Sequence, residues 1–413
     1  MNRDFKYPVI CSGYMLTVQY YAMSANKERI HPMDNLRGIL AMLGIPFHAS
    51  FFLYLSSALF SGHLITNRNQ FLLEPVPATV KHAFLIIFYL HTFWMPAFFL
   101  LAGFFAHLLC TNKGTKHFIK NRSLRIGLPF IFYFLWLIPC YLVKILGVAL
   151  TENKTFLSIV EINAHNGQMW IYFNNLTSYW FLDYLLWFYG LTLVFLLLKK
   201  AGHFPHTINR SLHHGLEKLF STRFIYAFIP IICATLFLRG HHWFIMLDEN
   251  IMPSPDLLVF YSIWYFIGWF LWEHQKILSR LSLFSWQKML FSFALYLFYL
   301  VCYFHFIHAQ DEWLYVFSIL VYTASMTFAV FGCLGMAWRF LPTYHAVLKY
   351  LSKASYWLYL TQIPILWFLS LIMMGVTHSF YVQFAVTTLL CMMICLVSYH
   401  FFIRRTRLQK LVG

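Results

Sequence analysis

Apolar runs of about 20 residues recur along the chain, each long enough to cross a bilayer as an α-helix. Only 11% of the residues are charged, whereas a soluble domain carries roughly 25%. The short alternating segments of a membrane β-barrel are absent. The sequence therefore predicts an all-α, polytopic membrane helix bundle of about ten transmembrane helices. We place them near residues 36–60, 83–109, 126–148, 181–198, 224–239, 257–272, 289–308, 313–337, 356–374 and 380–403.

The distribution of charge predicts how the bundle is oriented. The chain carries 30 Lys and Arg against 14 Asp and Glu, a balance that can indicate nucleic-acid binding. Successive loops of such a bundle lie on opposite sides of the membrane, however, and so form two alternating sets. Most of the basic residues fall in one of these sets, which includes both ends of the chain. The basic residues of the opposite set are only Arg68, Lys81, Lys154 and Arg239. By the positive-inside rule, both termini are expected to be cytoplasmic, so the basicity reflects topology and no nucleic-acid partner is expected.

This topology predicts a simple domain organisation. Residues 1–33 would form a cytoplasmic N-terminal segment, 34–403 the transmembrane domain and 404–413 a basic cytoplasmic tail. Within the first segment, residues 10–24 are mildly apolar and are interpreted as interfacial. The eight cysteines form no CxxC motif, so we expect neither a disulfide framework nor a metal site.

The first predicted span, "DNLRGILAMLGIPFHAS", contains an arginine and a histidine where charge is costly. Arg37 and His48 are eleven residues apart, so at about 100° per residue they share a helix face, about 16 Å apart along the axis. Polar residues within a span usually face the bundle interior. Each also has a simpler explanation: Arg37 as an interfacial anchor, His48 as an interhelical hydrogen-bonding residue. Asp34 could be the helix N-cap or a partner within a site.

A second basic cluster, "FIKNRSLRIGLPF", precedes the third predicted span. Arg122 and Arg125 are three residues apart and are therefore neighbours on a helix. A pair of guanidinium groups suits phosphate binding. The positive-inside rule accounts for basic residues here equally well, and the residues alone favour that explanation.

With both clusters in place, the chain resembles the acyltransferase-3 family of integral membrane acyltransferases. Arg37 and His48 match the family's first-span pattern of a basic residue, ten residues and a histidine, and Arg122 and Arg125 match its RxxR pattern. Similar segments are "WMPAFFLLAGFF" (94–105), "YWFLDYLLWF" (179–188) and "SKASYWLYLTQIPI" (352–365). Within the family, "LGIPFH" is most similar to the glucans biosynthesis protein C branch.

The resemblance implies an enzyme of the bacterial inner membrane that transfers an acyl group other than an amino-acyl group. The donor would be a cytoplasmic acyl-coenzyme A, with its phosphates bound by Arg122, Arg125 and Arg37, and no bound cofactor. His48 would act as general base on an acceptor hydroxyl, for which a neutral imidazole is suited, or as an acyl-histidine relay. The branch implies succinyl transfer to a periplasmic glucan, with glucan-synthesis proteins as candidate partners. Acetylation of lipopolysaccharide or another surface polysaccharide is the alternative within the class.

Two further residues are candidate site partners. Many family members carry a histidine near Gln362, and glutamine can hydrogen-bond but cannot titrate. Asp183 follows the "YWF" segment and would bind acceptor sugar, pair with His48, or remain a solvated interfacial carboxylate. From a different functional class, a proton-coupled secondary transporter would use Arg37 and His48 as a proton or substrate path. Inverted repeats would favour a transporter, and the sequence shows no convincing repeat.

Overall fold

The computed structural model describes residues 30–60, 77–132, 135, 180–202, 214–220, 222–243, 252–309 and 311–409. The regular secondary structure in these ranges is entirely helical, which confirms the all-α prediction. Residues 10–24, most of the predicted span at 126–148 and most of the loops predicted at 61–82 and 149–180 lie outside the described residues.

Eleven α-helices of six or more residues are present in the described residues. They are α1 (His31–Phe60), α2 (Ala78–Arg122), α3 (Trp180–Lys200), α4 (His214–Phe220), α5 (Ile225–Arg239), α6 (Pro255–Glu273), α7 (Lys276–Leu281), α8 (Ser285–Ala309), α9 (Glu312–Phe340), α10 (Ala346–Val376) and α11 (Phe380–Ser398). Helix α2 is kinked at Gly114, whose φ of 78° lies in the left-handed region that glycine tolerates. It then passes through a π-helical turn, Ser123–Gly127.

Seven of the described helical segments are long and apolar enough to cross a membrane, or eight if the bent pair α4 and α5 forms one span. This chain is therefore a multi-pass membrane protein, although the count is below the predicted ten. One reason is that the predicted span at 126–148 lies mostly outside the described residues. In addition, α6 occupies the predicted span at 257–272 but is not one of those seven segments.

Three helix pairs form the most extensive contacts of the bundle: α1 with α10, α8 with α9, and α2 with α6. The α2–α6 pair packs backbone against backbone. A Cβ atom on Gly103 would collide with the Tyr265 carbonyl oxygen, and one on Gly268 would collide with the Leu100 carbonyl oxygen. Small residues allow such close helix packing in membranes.

The N-terminal end of α1 is fixed to the turn between α9 and α10. The Asn35 side chain donates hydrogen bonds to the carbonyl oxygens of Leu341 and Thr343, each at 3.1 Å. Because α1 begins at His31, Asp34 lies inside its first turn. The N-cap alternative for Asp34 is therefore wrong, and its carboxylate has a different partner.

Candidate active site

A cavity of about 390 Å³ lies between α1, α2, α3, α10 and the π-helical turn. Apolar and aromatic side chains form much of its wall, including Phe98, Phe105 and Tyr189. Its cationic lining consists of Arg37, Lys113, Arg122, Arg125 and Lys353, and no Asp or Glu is among the described residues that line it. A cation-lined cleft with low-dielectric walls concentrates the field that attracts anions.

The π-helical turn positions the two arginines of the RxxR pattern. Arg122 lies just before the turn and Arg125 within it, and π-helical turns occur frequently at functional sites. The Arg122 guanidinium lies over the Tyr189 ring, 5.0 Å from its centroid. The Nε atom of each arginine is buried and makes no hydrogen bond with the described residues. Both side chains therefore keep donors for a ligand in the cavity.

Arg37 reaches the same cavity from α1. Its Nη2 atom lies 3.0 Å from the Asp34 carboxylate and donates a hydrogen bond of 2.7 Å to the Ser352 hydroxyl on α10. The guanidinium also lies 4.8 Å from the centroid of the Phe105 ring. Arg37 and Arg122 are both close enough to Arg125 for their charges to repel it. Asp34 thus orients one of three converging cations and does not itself line the described cavity.

His48 lies next to this cavity, behind Trp94. The Trp94 ring lines the cavity and contacts the imidazole edge-to-face at 5.2 Å. Its indole N–H donates a hydrogen bond of 2.7 Å to the Leu40 carbonyl oxygen, and Gly44 leaves room for the ring, since a Cβ there would overlap it. The Gly44 backbone lies close to His48, but no contact of the buried Nδ1 atom with the described residues meets hydrogen-bond geometry.

A second histidine, His91 on α2, lies beside His48 and is absent from the predicted site. Its ring stacks on Phe47 with centroids 4.8 Å apart, and Phe47 also contacts His48 at 5.2 Å. Only 3% of His91 is exposed, and its Nδ1 atom makes no hydrogen bond with the described residues. No motif marks His91 in the sequence. The available signal is that a titratable residue lies inside an apolar span.

The two candidate partners, Gln362 and Asp183, lie in different places. Gln362 lines the cavity from α10, is buried, and its Oε1 atom makes no hydrogen bond with the described residues. Asp183 is in the first turn of α3 and is also buried, so the solvated alternative is wrong. It is not among the described cavity-lining residues, although its neighbours Phe181 and Leu185 are.

Comparison with known families identifies the kind of protein that carries this arrangement. The acyltransferase domain model Acyl_transf_3 matches residues 30–398. This range includes the described residues that line the cavity, together with His48 and His91. The chain belongs to the acyltransferase-3 family. This membrane acyltransferase therefore transfers acyl groups other than amino-acyl groups, as the sequence motifs predicted.

Curated relatives of the acyltransferase are more distant and match only part of it. It is 28% identical over 162 residues to glucans biosynthesis protein C of Salmonella typhi, covering 38% of this chain and 37% of the relative. It is 29% identical over 106 residues to the protein of that name from Shigella dysenteriae serotype 1, covering 25% and 23%. The matched region thus spans well under half the length of these relatives. No solved structure matches the chain.

Proposed function

We propose that this protein is an inner-membrane O-acyltransferase that moves an acyl group from cytoplasmic acyl-coenzyme A to a hydroxyl of a periplasmic or surface glycan. Both termini would be cytoplasmic, and the cationic cavity would open toward the cytoplasm. The carrying observation is the convergence of Arg37, Arg122 and Arg125 on one cavity next to His48.

The cavity has the chemistry that a coenzyme A thioester requires. Coenzyme A carries several phosphate charges, and guanidinium groups bind phosphate through paired, charge-assisted hydrogen bonds. Arg122 and Arg125 keep their Nε donors unused among the described residues, and the cavity is lined by five cations. The apolar wall formed by residues such as Phe98 and Phe105 suits the less polar pantetheine arm. The thioester would then lie toward Trp94 and His48.

His48 is proposed as the general base. The acceptor oxygen attacks the thioester carbonyl carbon while the imidazole takes the hydroxyl proton. The carbon–sulfur bond then breaks, and the departing thiolate of coenzyme A takes that proton from the imidazolium. The products are an ester of the glycan and free coenzyme A, with His48 neutral again.

The acyl group and acceptor are proposed from the relatives. The names of the partial relatives associate them with glucans biosynthesis, and the family branch implies succinyl transfer. We therefore propose succinylation of a periplasmic glucan, with proteins of glucan synthesis as candidate partners. No observation in the structure favours lipopolysaccharide acetylation over this acceptor.

The test is acyl transfer by purified protein in proteoliposomes. Succinyl-coenzyme A and acetyl-coenzyme A would be supplied separately, with an oligoglucan as acceptor. Mass spectrometry would detect glucan heavier by one succinyl or one acetyl group, and a thiol assay would follow free coenzyme A. We expect succinyl-glucan with the wild-type chain and none with His48→Ala. Consumption of neither thioester would contradict the proposal, as would solute transport independent of coenzyme A.

A further inference from the structure

The half-buried His48 and the buried His91 form a pair of neighbouring imidazoles on two different helices. Both contact the ring of Phe47, and they lie within electrostatic range of each other. Both Nδ1 atoms are buried without a hydrogen bond among the described residues. His48 is taken as the base of the proposed reaction, whereas His91 has no role in it.

Leaving a buried polar nitrogen unpaired costs stability, so most native structures avoid it. The unpaired His91 nitrogen, in an aromatic pocket beside His48, indicates a place where a polar group binds between the two helices. One neighbouring polar group, the Trp94 N–H, is already engaged, because it is bonded to the Leu40 carbonyl oxygen. A neutral histidine can donate a hydrogen bond to such a polar group, since one of its ring nitrogens carries a proton.

We propose that His91 is a second catalytic residue, which donates a hydrogen bond to the thioester carbonyl oxygen as that oxygen becomes an oxyanion. This inference rests on the proposed acyl transfer. The acceptor oxygen forms its bond to the carbonyl carbon, and the carbonyl π electrons move onto the oxygen that faces His91. His48 holds the acceptor's proton. When the oxyanion collapses, the carbon–sulfur bond breaks and coenzyme A leaves as the thiol after taking that proton.

The division of roles follows from the placement of the two rings. His48 shares α1 with Arg37 and adjoins the cavity through Trp94, so it meets the donor from the cavity side. His91 approaches from α2 and stacks on Phe47. A proton acceptor on one helix and a hydrogen-bond donor on another can act on the two oxygens of one tetrahedral intermediate. Preorganised donors of this kind commonly supply a large part of a rate enhancement.

The test compares His91→Asn with His91→Leu in the proteoliposome assay, using succinyl-coenzyme A and, in a parallel series, acetyl-coenzyme A. The two replacements have the same number and branching of side-chain heavy atoms, but only asparagine retains an N–H donor. For His91→Leu we expect kcat to fall about 10²–10³-fold with the donor KM little changed. His91→Asn should recover a substantial part of that loss. The exposed His82 on the same helix provides the control pair, His82→Asn and His82→Leu, with unchanged kcat.

Equal kcat for His91→Leu and the wild type would overturn the inference. Equal losses in His91→Asn and His91→Leu would also overturn it, because packing or titration rather than a donated hydrogen bond would then explain both. Membrane yield and thermal unfolding of each variant separate folding from catalysis. If the wild-type chain itself transfers no acyl group, the proposed function fails; if only the His91 comparison fails, the acyl transfer stands.

Discussion

Gln362 is a single buried amide whose Oε1 atom makes no hydrogen bond with the described residues, yet it lines the cavity. Such a group lowers stability unless a ligand uses it. We therefore expect Gln362→Leu to unfold at the same temperature or a higher one, while acyl transfer falls. Thermal unfolding and transfer rate, measured on one preparation, test both halves. Lower stability with unchanged transfer would show that the amide serves folding.

Replacing His48 should reduce the rate of acyl transfer without affecting folding, whereas replacing a packing residue would affect folding first. General base catalysis contributes about 10²–10⁴-fold to a rate, so we expect His48→Gln to lose at least that much kcat. Its membrane insertion and donor affinity should remain near those of the wild type, because the arginines that bind the donor are untouched. Initial rates with saturating donor, together with coenzyme A binding, measure the two effects. A wild-type rate in His48→Gln would exclude His48 as the base.

At the residue scale, the sequence predicted the features that residue spacing within one helix determines. Helical periodicity placed Arg37 and His48 on one face, and the RxxR pattern put Arg122 beside Arg125. Spacing within one helix does not reveal which residues of other helices come near. His91 meets His48 through Phe47, and Trp94 separates His48 from the cavity; both are interhelical contacts. Lys113 and Lys353 are not among the predicted site residues, although both line the cavity.

At the scale of helices, the contact of α2 with α6 depends on two glycines. We expect Gly103→Ala and Gly268→Ala each to destabilise the protein by about 1–3 kcal/mol or more, since the added methyl group meets a backbone carbonyl that cannot move aside independently. Gly190→Ala in α3 is the matched control, because nothing lies within 4 Å of its added Cβ. Thermal unfolding in detergent would rank the three variants. Equal stability of all three would contradict the close approach.

The helices themselves were predictable because long apolar runs have few alternatives in a membrane. The ends of the helices were less predictable. The first helix starts at His31, ahead of the predicted boundary, because Ile30 accepts its first backbone hydrogen bonds. The extension of α2 beyond the predicted span at 83–109 continues into the π-helical turn. Hydropathy cannot predict such an extension, since polar residues there are solvated whether or not they are helical.

At the scale of the whole molecule, the cavity's charge should govern donor binding. Replacing Arg122 and Arg125 by alanine should weaken coenzyme A binding by about tenfold or more per guanidinium, because one charge-assisted hydrogen bond contributes about 1.5–3 kcal/mol. The remaining affinity should depend less on salt. Calorimetric titration with coenzyme A at two salt concentrations measures both. Arg280→Ala removes an exposed cation outside the cavity and is the matched control. Unchanged affinity in the double variant would mean that Arg122 and Arg125 serve only to orient the chain in the membrane.

The unequal distribution of basic residues between the two sets of loops predicts which end of the bundle faces the cytoplasm, and this can be tested. Helix α9 has 29 residues and is therefore about 44 Å long. At its C-terminal end, Leu341 accepts a hydrogen bond from Asn35, two residues before the cavity-lining Arg37. At its N-terminal end, Asp311 caps the helix by accepting a hydrogen bond from the Trp313 amide. A cytoplasmic donor requires the cavity end to face inward, as the positive-inside rule predicts. In intact cells, a membrane-impermeant maleimide should therefore label E312C and should label K116C only after permeabilisation. The wild-type chain supplies the background from native cysteines. The reverse labelling pattern would exclude a cytoplasmic donor and, with it, the proposed route of acyl transfer.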